Sequence, residues 1–276
     1  MSRSRAGRRP NPSGVHLLHD RAVLRRLVAA AALTPDDLVL DLGAGPGTIT
    51  AALARTGARV LAVERDPRFA EILRRRFADR PRVRVLERDL RDVRVPRGAR
   101  VVASVPFATS TAVLGALLDT GPPAAGADLV VQHGFARRVC GRPRDARAAW
   151  WAARHRLRIV EVVPRTAFGP PPRVDAARLS IRPRRPLGAE GDAVLRGLLE
   201  IAHARPATAG RVVAAGLGRR RGPRLLRELG IDGDRPAAAV RPARWWALAA
   251  AATGDDGGAR PGAAERRGPA PGDGGG

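Results

Sequence analysis

The chain has 276 residues, 44% of them hydrophobic, enough for one large domain with its own core and a small second one. Its 50 basic residues, all arginine, outnumber 26 acidic ones and leave a net charge of +24, which points to a polyanionic partner, nucleic acid first. A single cysteine, Cys140, excludes an internal disulfide framework and a cysteine-rich zinc site and suits the reducing cytoplasm; the basic start lacks the apolar stretch of a signal peptide, and no apolar run is long enough to span a membrane.

The first thirteen residues are Arg-, Ser-, Pro- and Gly-rich and read as a disordered basic arm. Residues 20–33 form an amphipathic pattern with Asp20 as N-cap, and Pro35 ends it. Strand and helix patterns then alternate: a buried strand at 38–43, a helix at 48–56, a strand at 59–66, and a helix at 67–79 with proline in its first turn. A third strand over 83–90 and a fourth over 100–107 follow, then a helix at 110–119, a strand running into a helix at 127–140, and strands at 156–168 and 175–184. This alternation predicts a doubly wound α/β domain over 14–186. From 187 to 253 four helical segments predict a small all-helical C-terminal domain, and residues 254–276 are low-complexity and read as a disordered tail.

The chemistry-bearing residues lie at the carboxyl ends of the first four strands, where such sheets bind ligands. The first strand runs into Gly43-Ala44-Gly45-Pro46-Gly47, and glycine lets backbone approach a ligand closely. The second ends in Glu64-Arg65, an acid able to accept from a ribose diol, as nicotinamide enzymes and S-adenosylmethionine enzymes both require. The third ends in Asp89-Leu90, an acceptor for an adenine amine beside an apolar neighbour for the ring. The fourth ends in Ser104-Val105-Pro106-Phe107 and separates the two classes. It resembles the (Asn/Asp/Ser)-x-Pro-(Tyr/Phe) motif of enzymes that methylate amino groups on planar conjugated rings. An adenine amine is a poor nucleophile because its lone pair is delocalised. Acceptors from Ser104 and the backbone carbonyl after it would draw that pair out of conjugation, Pro106 would stiffen the backbone, and Phe107 would stack on a base that is flipped out or single-stranded.

Together these segments resemble the rRNA adenine dimethyltransferase family, and within it the Erm-type macrolide-resistance methyltransferases more than the housekeeping small-subunit enzymes. The likeness runs from about Gly14 to Trp246. Residues 14–20, GVHLLHD, stand where the family has Gln-Asn/His-Phe-Leu, and the resemblance makes His16 and Leu18 cofactor contacts. Residues 168–177, FGPPPRVDAA, are similar to the family's Phe-x-Pro-x-Pro-x-Val-Asp/Asn-Ser, which implies that Phe168 lies over the target base opposite Phe107.

The resemblance implies a Rossmann-like domain that uses S-adenosylmethionine to methylate N6 of an adenosine in the peptidyl-transferase loop of 23S rRNA. That modification blocks macrolide, lincosamide and streptogramin B binding. It also implies a monomer acting on rRNA before ribosome assembly is complete. The implied cofactor set is His16, Leu18, Gly43, Ala44, Gly45, Glu64, Arg65, Asp89, Leu90 and Ser104; the implied catalytic set is Ser104, Val105, Pro106, Phe107 and Phe168. Two other readings share the fold: a small-subunit rRNA dimethyltransferase, and a non-catalytic RNA-binding factor. Ser104, where the family usually has Asn, favours the last.

Arg137, Arg138, Arg142, Arg144, Arg182 and Arg184 are expected to track RNA phosphates as a set. His133 and His155 are isolated and lack metal-ligand spacing, so no metal is expected. The Trp150-Trp151 and Trp245-Trp246 pairs read as packing residues.

Overall fold

The computed structural model describes residues 16–119 and 124–254; the expected N-terminal arm and nearly all of the expected C-terminal tail lie outside these. Nine strands are described: β1 (Leu17–Leu18), β2 (Leu38–Leu42), β3 (Arg59–Glu64), β4 (Val83–Glu87), β5 (Ala99–Ser104), β6 (Ala124–Gln132), β7 (His155–Val163), β8 (Phe168–Gly169) and β9 (Ala176–Pro183). Ten α-helices accompany them: α1 (Arg21–Ala30), α2 (Thr48–Ala54), α3 (Pro67–Arg76), α4 (Ser110–Leu118), α5 (His133–Cys140), α6 (Ala146–Arg154), α7 (Gly188–Ala204), α8 (Ala209–Leu217), α9 (Arg221–Glu228) and α10 (Pro242–Thr253).

Seven strands form one sheet in the order β4-β3-β2-β5-β6-β9-β7. β2 to β6 are parallel, β9 runs antiparallel to β6, and β7 antiparallel to β9. The chain order reverses beside β2, the first strand of this sheet, which is the switch point where doubly wound sheets open a crevice. The central strands are apolar throughout because helices cover both faces: Val39 and Leu40 of β2 and Val101 and Val102 of β5 are fully buried.

Helix starts follow the acids. Asp20 accepts from the backbone N–H of Ala22 (2.8 Å) and Val23 (2.9 Å), and Asp66 accepts from Arg68 ahead of Pro67. The strand expected over 83–90 stops at Glu87. Asp89 instead caps a short 3-10 turn at Leu90–Asp92 by accepting from Arg91 N–H, a local bond that competes with strand extension.

Helix α6 was not anticipated between the α5 segment and the next strand. It is set by Asp145, which accepts from Ala148 N–H, and by Ala149, Trp150 and Ala153 on its inner face. Trp150 and Trp151 are core residues: their indole N–H groups donate to Leu118 O (3.2 Å) and Asp119 Oδ1 (2.8 Å). From α6 the core passes without a break into the helical region through Leu195, Leu198, Trp245 and Leu248. Arg154, 3% exposed, pairs with Asp192 of α7, and the guanidinium groups of Arg154 and Arg196 lie 5.0 and 4.1 Å from the Trp150 ring centre.

A further pairing was not visible from the chain order. β1 and β8 form a separate antiparallel ribbon, Leu17 opposite Gly169 and Leu18 opposite Phe168. It ties the segment before α1 to the proline-rich stretch 150 residues away, supported by His19 N–H donating to Ala167 O (2.9 Å).

Candidate active site

A cavity of about 560 Å³ opens at the carboxyl ends of β2 to β5. Among the residues around it are His16, Leu18, Gly43, Ala44, Gly45, Glu64, Arg65, Asp89, Leu90, Ser104, Val105, Pro106, Phe107 and Phe168. The structure therefore gathers every residue expected for cofactor and catalysis around one space, although they span 153 positions of chain. Sequence reasoning missed Thr48, Phe69 and Arg88, which also line it.

The glycine turn is built on positive backbone angles. Gly43, Gly45 and Gly47 have φ of +77°, +53° and +86°, a region costly for residues with a Cβ. Gly47 is further constrained by packing: a Cβ there would come within 2.8 Å of Leu73 and 2.9 Å of Phe77. The turn is tied to the next strand by Gly43 N–H and Ala44 N–H, which both donate to Val63 O.

Glu64 holds the same turn from its side chain. Its Oε2 accepts from Gly45 N–H (2.8 Å), and its Oε1 accepts from Arg65 and Asp66 N–H (2.8 Å each). A carboxylate offers about four acceptor positions, so one is left, on Oε2. A two-bond grip on a diol requires Gly45 N–H to let go.

Asp89 is engaged in the same way. Arg91, two residues on, donates Nε to Oδ1 (2.9 Å) and Nη2 to Oδ2 (2.7 Å), and Arg65 Nη1 stands 3.6 Å from Oδ2. The Arg91 guanidinium holds the carboxyl far below the usual range, so it is a permanent acceptor. Arg91 was missed from sequence, although an Asp-x-Arg spacing at a strand end is the signal that would find it.

Asp41, fully buried beneath the turn, accepts from Thr50 Oγ1 (2.7 Å), while its Oδ1 has no protein partner. Burial, with nearby Glu64 adding to it, raises its pKa to about 7.

At the end of β5, Pro106 O accepts from Thr109 N–H (2.9 Å) and Thr109 Oγ1 (3.0 Å), which fixes the turn that carries Phe107. Phe107 is half-buried. The His16 ring lies 6.1 Å from it at 38°, and His16 Nδ1–H donates to Pro170 O (2.7 Å). Phe168 is only 2% exposed and forms the cavity wall from within the core, beside Leu18 and Val163.

The arginines expected on the RNA face divide. Arg137, Arg138, Arg142 and Arg144 are exposed on and after α5. Arg182 is turned into the structure: its guanidinium donates to Asp128 Oδ2 (2.7 Å), Ala127 O, Ile181 O and Ala30 O, so it joins the sheet to α1 instead of offering a free cation. Arg184 is half-buried. Among the described residues no group of His, Cys, Asp and Glu is placed to hold a metal ion, and no helix is long and apolar enough to cross a membrane.

A glycine turn, an acid at each of the next two strand ends and an amine-orienting motif at the fourth, on this sheet order, define a Rossmann-like methyltransferase. The residues fit S-adenosylmethionine: positive-φ backbone that admits a close ligand, and one acceptor position left on Glu64 and on Asp89, both of which line the cavity. Residues 11–217 match the ribosomal RNA adenine dimethylase family, and the chain belongs to it.

The chain is 33% identical over 207 residues to an rRNA adenine N-6-methyltransferase of Bacillus licheniformis, covering 72% of this chain and 71% of that one. It is 36% identical over 187 residues to the ribosomal RNA small subunit methyltransferase A of a Synechococcus species, covering 62% and 68%. Among solved structures it is similar to the 23S rRNA methyltransferase ErmE, with a TM-score of 0.70 and 29% identity over 84% of this chain and 98% of that one. The fold is shared with a dimethyladenosine transferase from Plasmodium falciparum, with a TM-score of 0.67 and 20% identity. The chain is thus an S-adenosylmethionine-dependent rRNA adenine-N6 methyltransferase.

Proposed function

We propose that the chain methylates N6 of one adenosine in the peptidyl-transferase loop of 23S rRNA, in the cytoplasm and as a monomer, and so confers resistance to macrolides, lincosamides and streptogramin B. The observation that carries this choice of RNA is the match to ErmE, which takes in 98% of that chain and therefore its C-terminal part as well. The small-subunit relatives, at up to 36% identity over a shorter stretch, support 16S rRNA as the second reading.

S-adenosylmethionine, when bound, supplies an electrophilic methyl group. Gly43 to Gly45 admit it closely, Glu64 and Arg65 address its ribose end, and Asp89 with Leu90 its adenine; His16 and Leu18 close the opposite side. Ser104 Oγ and the Val105 carbonyl accept from the target amine and aim its lone pair. Pro106 O is taken by Thr109, which leaves Val105 O as the backbone acceptor in this turn. Phe107 stacks on the base, and Phe168 backs the pocket. Ser104 is shorter than the Asn usual in the family and donates as well as accepts, so a second methyl transfer is slower than the first.

The test is transfer of labelled methyl groups to protein-free 23S and 16S rRNA, mapped by primer extension. Label in the peptidyl-transferase loop of 23S supports the proposal. Label in 16S moves the chain to the second reading, and cofactor binding without label on either RNA makes it a non-catalytic RNA-binding protein.

A further inference from the structure

Away from the cavity, one end of the sheet carries a concentration of arginine that the site does not use. β7 is the edge strand, and its register with β9 sets Arg156 opposite Arg182 and Arg158 opposite Ser180. Opposed residues share a sheet face, so Arg156 and Arg158 lie on the face covered by α1, since Arg182 reaches Ala30 O at the end of that helix. Arg184 directly follows β9, and its guanidinium feels the charge of Arg156.

The acids on this face are committed elsewhere. Asp128 is 2.7 Å from Arg182 and 4.0 Å from Arg178; Glu161 is 2.8 Å from Arg26 and 3.7 Å from Arg178. Among the described residues no salt bridge reaches Arg156, Arg158 or Arg184. Arg156 and Arg158 are exposed. Arg184 is half-buried, and its Nε has no hydrogen-bond partner. Its guanidinium is disfavoured by burial and then by the like charge of Arg156. Clustered cations that repel one another and lack a carboxylate gain from an external anion.

We propose that Arg156, Arg158 and Arg184 form a docking site for the phosphate backbone of the RNA substrate, remote from the cavity. β7 runs toward the cavity, and the seven steps from Arg156 to Val163 span about 23 Å. The site therefore holds RNA flanking the target nucleotide and contributes to RNA affinity without touching the reacting base. This rests on rRNA being the substrate.

The test compares wild type with Arg156→Glu/Arg158→Glu and Arg156→Lys/Arg158→Lys, using protein-free rRNA. Binding is measured across salt concentrations, alongside KM for RNA, kcat at saturating RNA, and cofactor affinity. Charge reversal is expected to weaken RNA binding about tenfold near 0.1 M salt and to flatten the log–log salt slope by about 2. KM for RNA rises, while kcat and cofactor affinity stay at wild-type values; the lysine pair retains affinity. Unchanged affinity and slope in a wild type that methylates rRNA would overturn the docking site alone. Parallel loss of cofactor affinity and kcat would also overturn it, by showing a structural role. A wild type that neither binds nor methylates rRNA would remove the substrate reading and this proposal with it.

Discussion

The carboxylate of Glu64 accepts a hydrogen bond from the backbone N–H of Gly45 at 2.8 Å, so an acid on the cavity wall also pins the glycine turn beside it. With Arg65 and Asp66 N–H on its other oxygen, Glu64 satisfies three backbone donors at the end of β3 while being only 8% exposed.

Glu64→Ala is expected to raise the dissociation constant for S-adenosylmethionine at least about tenfold. Loss of an acceptor for three N–H groups should also lower stability by about 1–3 kcal/mol. Calorimetric titration and thermal unfolding check the two effects. Unchanged cofactor affinity would show that Glu64 serves only the turn.

Phe107→Ala should lower turnover roughly ten- to hundredfold, the worth of one aromatic stack on a base, while cofactor affinity stays near wild type. Single-turnover methyl transfer and cofactor titration measured on the same preparation check it. Equal loss of both would rule out the stacking role.

Ser104→Asn should preserve or raise methyl transfer, because the longer amide reaches further toward the target amine. The ratio of dimethylated to monomethylated adenosine, read by mass spectrometry of digested RNA, should rise. Abolished transfer would contradict the role given to this side chain.

Gly47→Ala combines a positive φ with a Cβ 2.8 Å from Leu73, whereas Gly98, at φ +80°, has nothing within 4 Å of its Cβ position. Gly98→Ala should cost about 1–2 kcal/mol, the left-handed backbone penalty alone. Gly47→Ala should cost more, and the difference in denaturant midpoints reports the crowding against Leu73 and Phe77.

His155 is buried, with Nδ1 3.2 Å from Trp151 O, and burial lowers its pKa from 6.5 to about 4. The unfolded chain therefore binds a proton there between pH 6.5 and 4 that the folded chain does not, so stability is present above about 6.5 and lost as pH falls toward 4. His155→Gln should flatten this part of the pH dependence of the melting temperature relative to wild type. Parallel curves for the two proteins would refute it.

Several features of this protein were legible in the residues alone because they are local. Strand and helix patterning specified an α/β domain with a helical C-terminal region. Asp20 marked one helix start through its own side-chain bonds, Pro67 marked another by its place in the first turn, and the glycine turn followed a strand and opened a helix. The end of β4 was misjudged because Asp89 caps its own 3-10 turn, a short-range bond that hydrophobic patterning does not report. Helix α6 was overlooked although Asp145 offers it a local N-cap; only its packing, with two tryptophans set against α4 and the helical region, depends on distant residues.

By itself the sequence determined the order of chemistry along the chain: the turn, Glu64, Asp89, and Ser104 to Phe107, one at each successive strand end. That order is enough because parallel strands of alternating α/β units all deliver their carboxyl ends to one edge. Only the tertiary structure decided what surrounds each group. Long-range contacts brought Phe168 to Leu18 through the β1–β8 ribbon, turned Arg182 into the sheet against Asp128, and left Arg156 and Arg158 exposed on the edge strand. Whether an arginine is a strut or a free cation depends on the carboxylates and carbonyls that folding places around it, and those come from distant parts of the chain.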